Sequence, residues 1–274
     1  MKSITFIGVD VSKDTLQVAV HGEVGSVCIA NTVVAIRQWL KQLPPQAYSI
    51  GMESTGEYHK NLVRLAIAAG HKAYVLNARD LSHYAASLGR RAKTDHLDAQ
   101  LIARYLAQEH DTLHPYCLPT ELQEELDSLV QRRHVVVTSQ VALRQSLAVL
   151  TNKPRALART FRALTALIVE LDQRMQLLVS QDPALSAIAN NLRTIVGFGP
   201  LLSHTMANAI TRHPFANDDA FIAFVGYDPR ARDSGQRKGR RFLSKRGPAE
   251  LRRLLYLAAM SASKTKLWQP FYER

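Results

Sequence analysis

The sequence predicts an α/β domain followed by a mainly helical remainder, and three observations carry that reading. Over about the first hundred residues, short apolar runs of strand length alternate with amphipathic helical stretches. Beyond Pro115 and Pro119 the strand signal stops and two long helical patterns take over. The last region mixes helical patterns with glycine-bearing turns and a dense run of Lys and Arg. The domain boundaries read from these changes are 1–114, 115–182 and 183–274.

Each element has its own signal. Ile4 to Val9 is a buried-strand run, Thr15 to His21 alternates apolar with polar residues, and Ser26 to Ala30 makes a third strand. The short turns between them, one marked by Gly22 and Gly25, predict an antiparallel meander. Asn31-Thr32 caps a helix that Pro44-Pro45 stops after Leu43. A strand follows from Tyr48 to Glu53, then a helix to Ala69 ended by Gly70, then a strand from His71 to Asn77. From Thr94 to Gln108 the pattern is helical, with Leu97, Leu101, Ile102 and Tyr105 as its apolar stripe. Glu121–Leu150 and Pro154–Ser180 predict an antiparallel helical arm, a dimer interface or a rest for nucleic acid as readily as a plain spacer. A final helix from Ala249 to Ser263 would pack through Leu251, Leu254, Leu255, Leu257 and Ala258.

Four carboxylates fall at telling places in this order. Asp10 closes the first strand run and Glu53 ends a later one; Asp95 and Asp98 open the helix that follows. Three residues apart on a helix, the last two share a face. Acids so distributed are how an RNase H-like domain gathers a divalent-metal site. Hard oxygen ligands suit Mg²⁺, with Mn²⁺ as the alternative, and two such ions can clamp both oxygens of a phosphodiester under attack. An acid at a strand end also serves as a cap or turn residue, so it is the set and its order that point to metal.

Charge points to the partner. The chain of 274 residues carries a formal net charge of +12, which favours a polyanion. Arg230 to Arg246 alone holds eight Lys or Arg residues against Asp233, a net +7. Gly235, Gly239 and Gly247 mark this segment as a loop or hairpin, and Arg230, Arg232, Arg237, Lys238, Arg240, Arg241, Lys245 and Arg246 are its phosphate-binding candidates. Ser234, before Gly235 and among these cations, has the setting of a nucleophile for phosphorus; Ser244 is its rival. Ile195-Val196-Gly197-Phe198-Gly199-Pro200 has the form of a helix-hairpin-helix turn. Its Gly197 and Gly199 would let a backbone phosphate reach main-chain N–H groups, although a turn between core helices reads the same. Cys28 and Cys117 match no metal spacing and read as unpaired, buried or incidental. No apolar run approaches membrane-span length and no leader pattern opens the chain, so the expectation is a soluble intracellular protein with no membrane partner.

Taken together, these blocks resemble the DEDD-type insertion-sequence transposases, the group of Piv-like DNA invertases and bridge-RNA-guided recombinases. Gly8-Val9-Asp10-Val11-Ser12-Lys13, Met52-Glu53-Ser54-Thr55-Gly56 and Lys93-Thr94-Asp95-His96-Leu97-Asp98-Ala99 are similar to the three motifs of its RuvC-like domain. Ile195–Gly199, Phe224–Pro229, Asp233-Ser234-Gly235 and Ser244–Gly247 are similar to blocks of its transposase domain, with Phe198 where a smaller aliphatic is common. The resemblance implies that Asp10, Glu53, Asp95 and Asp98 hold Mg²⁺ and that Ser234 becomes covalently linked to DNA. It implies donor and target DNA as substrates and a structured guide RNA that pairs with both. It also implies a site shared between protomers of a homodimer or homotetramer, cytoplasmic work on the bacterial nucleoid, and further helical sequence after Trp268-Gln269-Pro270-Phe271. A hydrolytic junction resolvase and a non-catalytic nucleic-acid-binding derivative are the alternatives from other mechanistic classes. A sugar-kinase-like ATPase would need a second Gly-rich phosphate loop, which the sequence lacks.

Overall fold

β1 (Thr5–Val11) and β4 (Tyr48–Glu53) form the middle of the N-terminal sheet, and the alternation of their residues sets both faces of it. In this computed structural model residues 4–54, 56–89, 95–152, 154–230 and 239–273 are described, with backbone alone for Asp95, His96 and Arg230. The chain divides into two compact units, Met1–Leu118 and Pro119–Arg274.

In the first unit, β2 (Thr15–Val20) and β3 (Val27–Ala30) complete the expected meander, and β5 (Lys72–Leu76) lies beyond β4. The sheet order is β3-β2-β1-β4-β5, with β1, β4 and β5 parallel and β2 antiparallel to its neighbours. On one face Ile7, Val9, Val11, Ile50 and Met52 meet Ile36, Trp39, Leu62 and Val63 of α1 (Val33–Gln42) and α2 (Lys60–Ala68). On the other, Tyr74, Leu76 and Phe6 pack with Ile102 and Leu106 of α4 (Asp95–Glu109). Between β5 and α4 lies α3 (Ala78–Ser87), capped by the Asn77 side chain accepting from the Arg79 N–H. The sequence reading did not find α3, because its only fully buried residue is Leu81 and the usual apolar stripe is missing.

The second unit is helical. α5 (Glu121–Ser146) and α6 (Arg155–Gln181) form the expected antiparallel arm, and α5 opens on a capping box between Thr120 and Gln123. The base of the arm shares a core with the next two helices. Leu126, Leu129 and Val130 of α5 and Met175, Leu178 and Val179 of α6 meet Leu185 and Ala189 of α7 (Pro183–Leu192) and Ala207 of α8 (Pro200–Arg212). α9 (Asp218–Val225), a two-residue ladder of β6 (Pro229–Arg230) with β7 (Phe242–Leu243), and α10 (Ala249–Ala262) follow, then the short α11 (Gln269–Tyr272).

Several sequence expectations change in detail. Leu257 is exposed rather than packed, and Ala262 takes a place on the buried face of α10. Both cysteines are free and exposed, so the unpaired reading stands and burial does not. Among the described residues no helix is long and apolar enough to cross a membrane.

Candidate active site

The site is built by how closely α4 lies on the sheet. Gly8 and Gly51 face each other in the β1–β4 register, so two adjacent strands present no side chain at that level. α4 settles into the space: a Cβ on Gly8 would lie 2.2 Å from both the Ala103 nitrogen and the Ala99 oxygen. A Cβ on Gly51 would meet Leu106 at 3.1 Å and Ile102 at 3.4 Å. The helix face in contact is therefore Ala99, Ile102, Ala103 and Leu106, all buried. Of the expected stripe, Leu101 and Ile102 are buried, while Leu97 and Tyr105 are only partly so.

This fit fixes where the acids fall. Side chains two apart on a strand share a face, so Asp10 lies on the face of Gly8, and Glu53 on the face of Gly51. Both therefore lie on the α4 side of the sheet. The β1–β4 register runs to Val9 opposite Met52, which sets Asp10 and Glu53 side by side at the carboxyl ends of adjacent parallel strands. β1 itself continues through Asp10 to Val11, two residues past the expected run of Ile4 to Val9. α4 runs antiparallel to β1, because Phe6 stacks edge-on against His110, centroids 5.0 Å apart, while Gly8 meets Ala99 and Ala103. From Gly8 to Asp10 a strand advances about 6.6 Å, a length that a helix covers in four to five residues or so. Counting back from Ala99 and Ala103 by that amount arrives between positions 95 and 98. Asp98 lies one turn before Ile102, the residue over Gly51, and so belongs to the Glu53 side of the group.

Asp10, Glu53 and Asp98 are each partly exposed, which leaves the group open to a ligand. Asn31 steadies the same end of the sheet, its side-chain amide donating to the Ser12 carbonyl at 2.9 Å and to the Tyr58 carbonyl at 3.1 Å. Asn31 was read from sequence only as part of a helix cap; its bond across 27 residues has no local signal. The donor set is all carboxylate and fits a hard divalent cation. Among the described residues no three His, Cys, Asp or Glu side chains are gathered closely enough to hold a metal ion. Asp95 enters that set by its backbone position alone, as the first residue of α4.

A direct check on this geometry is Gly8→Ala. The added methyl forces α4 away from β1, an overpacking expected to cost about 1–3 kcal/mol and to part Asp98 from Asp10. The denaturation midpoint and DNA strand cleavage should fall together. A Gly8→Ala protein with unchanged stability would show that α4 does not rest on this residue.

The basic segment lies in the second unit. Ser234, Arg232, Arg237 and Lys238 lie outside the described residues, and Arg230 is described by its backbone alone, as a residue of β6 paired with Phe242. The expected loop or hairpin falls largely outside the described residues, and β6 and β7 pair on either side of it. Its base is held firmly. The Ser244 N–H donates to the Asp228 carbonyl at 2.9 Å, the Ser244 hydroxyl bonds the Asp228 carboxylate, and the Lys245 N–H donates to the Gly226 carbonyl at 3.0 Å. The Arg252 guanidinium donates to the Val225 and Gly247 carbonyls, and the Tyr227 hydroxyl donates to the Arg252 carbonyl. Ser244 is 3% exposed, a structural residue rather than an accessible nucleophile. Arg240, Arg241, Lys245 and Arg246 are exposed beside it, and Lys245 is held at φ +54, an unusual value for a residue with a side chain.

The turn between α7 and α8 has a packing explanation for one of its glycines. Gly197 has φ +92, and a Cβ there would meet the Ala258 carbonyl oxygen of α10 at 2.5 Å. Gly199 is the N-cap of α8, with open space beside it.

A five-stranded sheet of this order and direction, with acids on adjacent strand ends under the start of a crossing helix, defines an RNase H-like domain. Comparison with known proteins then supplies the family. The DEDD transposase model of the IS110 group matches residues 7–153, and the model described as transposase IS116/IS110/IS902 family matches residues 189–273. The chain belongs to this transposase family and is a DNA transposase or recombinase by class. The pilin gene-inverting protein of Moraxella bovis is 27% identical over 95% of this chain and 84% of its own length. The transposase for insertion sequence element IS1111A of Coxiella burnetii is 25% identical over 93% of this chain and 77% of its own. Among solved structures, T. thermophilus RuvC in complex with Holliday junction substrate aligns with 41% of this chain and 99% of its own, at 14% identity and a TM-score of 0.30, too loose to bear on chemistry.

Proposed function

We propose that this chain is a site-specific recombinase of a mobile element that cuts and rejoins DNA through a serine nucleophile, assisted by a divalent metal. The observation that supports it most is the side-by-side placement of Asp10 and Glu53 on the α4 face, level with the start of α4 where Asp95 and Asp98 lie. Asp10, Glu53, Asp95 and Asp98 would hold Mg²⁺, with Mn²⁺ able to replace it. Bound there, the ion supplies positive charge against the phosphate oxygens and the leaving oxygen.

The protein residues do the rest. The Ser234 hydroxyl loses its proton to a base or water and its oxygen attacks phosphorus. One P–O ester bond forms to Ser234 as the bond to the leaving sugar oxygen breaks, and that oxygen takes a proton. The number of phosphoester bonds is unchanged, so a second sugar hydroxyl can reverse the step and join a new pair of ends. Arg230, Arg232, Arg237, Lys238, Arg240, Arg241, Lys245 and Arg246 hold the flanking phosphates, and main-chain N–H groups near Gly197 and Gly199 add to that grip. The family resemblance extends the reading to donor and target DNA, a structured guide RNA, and a homodimer or homotetramer in which one protomer's acids serve another's serine.

Chelation is the first test. With DNA carrying the element's ends, Mg²⁺ should support strand cleavage and EDTA should remove it while binding persists. Equal cleavage in excess chelator would overturn the metal-assisted mechanism.

A further inference from the structure

The helical arm is segregated by charge along its length. At its base three acids have basic partners: Arg133 with Asp172, Arg174 with Glu125, and Arg212 of α8 with Asp127. Between Asp127 and Glu170 the sequence then runs 42 residues with no Asp or Glu and seven Lys or Arg. Three of these, Arg155, Arg159 and Arg162, stand at helical spacing on α6 and all are exposed. They occupy the face turned away from α5, since Leu157, Phe161 and Leu164 are the half-buried residues of that stretch. Among the described residues no carboxylate pairs with any of the three.

Local energetics disfavour this arrangement. The N-terminal end of a helix carries partial positive charge and favours acids, yet the first turn of α6 has none and begins at Arg155. Like charges at a spacing of four also repel, as Arg155 and Arg159 do here. A row that weakens its own helix and contributes nothing to packing is the kind of local conflict that marks a functional surface. Its length fits a nucleic-acid backbone: seven residues of helix span about 10 Å, close to three phosphate-to-phosphate steps at about 3.4 Å of rise along one strand.

We propose that the distal arm is a second phosphodiester-binding surface, in which Arg155, Arg159 and Arg162 contact about three consecutive phosphates of a nucleic-acid duplex. It is separate in the chain from the 230–246 segment, and it rests on the reading of the protein as a nucleic-acid recombinase. The shared chemistry is the phosphate backbone, which a DNA substrate and a paired guide RNA both offer.

The test uses the whole chain carrying Asp10→Asn, to prevent cleavage, with duplex DNA and duplex RNA of equal length. Arg155→Gln, Arg159→Gln and Arg162→Gln together should reduce the slope of log affinity against log salt by about 2 to 3 on the duplex that the arm holds. Gln keeps high helix propensity, and the melting midpoint should stay level or rise, so loss of fold is separated from loss of contact. The corresponding triple Lys variant should restore the slope. Flattening with DNA alone assigns the surface to the substrate, and flattening with RNA alone assigns it to the guide. Strong binding with an unchanged slope on both overturns the arm proposal and leaves the recombinase reading intact. Failure of the Asp10→Asn chain to bind either duplex overturns both.

Discussion

Asp10→Asn should abolish DNA strand cleavage and leave the fold largely intact. Asn matches Asp in shape but is neutral and supplies one weaker oxygen ligand. Partners outside a metal's own ligands already cost about 10–100-fold when removed, so loss of a direct ligand should exceed a hundredfold or so. The fold should be largely unaffected, because Asn keeps the shape of Asp at a partly exposed strand end. Asp98→Asn should reproduce both effects. Asp14→Asn is the control: it is exposed in the turn after β1 and should cleave normally. Undiminished cleavage by Asp10→Asn or Asp98→Asn would sink the metal-site assignment, and a large loss of stability would mean that these acids serve the fold.

The sequence made the acids legible because strand periodicity is local. Ile7, Val9 and Val11 alternate with Phe6, Gly8 and Asp10, so the face that Asp10 shares is written in β1 itself. The reason those acids reach α4 was not legible. It lies in Gly8 and Gly51, which look like ordinary strand residues until Ala99 and Ala103 are seen against them. The same holds for Asn31, whose partners lie across long stretches of chain. The glycines read the basic segment as a loop or hairpin, but only the packed structure shows that Ser244 is buried. Ser244 is fixed to Asp228 at the foot of the hairpin, an arrangement that neither Leu243-Ser244-Lys245 nor Tyr227-Asp228-Pro229 discloses alone.

The burial of Ser244 sharpens the expected outcome for the nucleophile. Stopping a reaction under denaturing conditions should leave DNA attached to the chain, at a peptide containing Ser234. Ser234→Ala should remove the adduct and all recombination, because a methyl group has no oxygen to attack phosphorus, while duplex binding and its salt dependence remain. Ser244→Ala should behave differently. It deletes a buried hydroxyl bonded to Asp228 and leaves that carboxylate short of a donor, a loss of about 1–3 kcal/mol. The variant should therefore melt earlier yet still form the adduct at temperatures where it is folded. An adduct that maps to Ser244 would keep the covalent mechanism and refute the choice of residue, since the segment would then have to open to expose it. DNA cleavage by the active protein with no adduct at any time would replace the serine with water, and the hydrolytic resolvase would be the right reading.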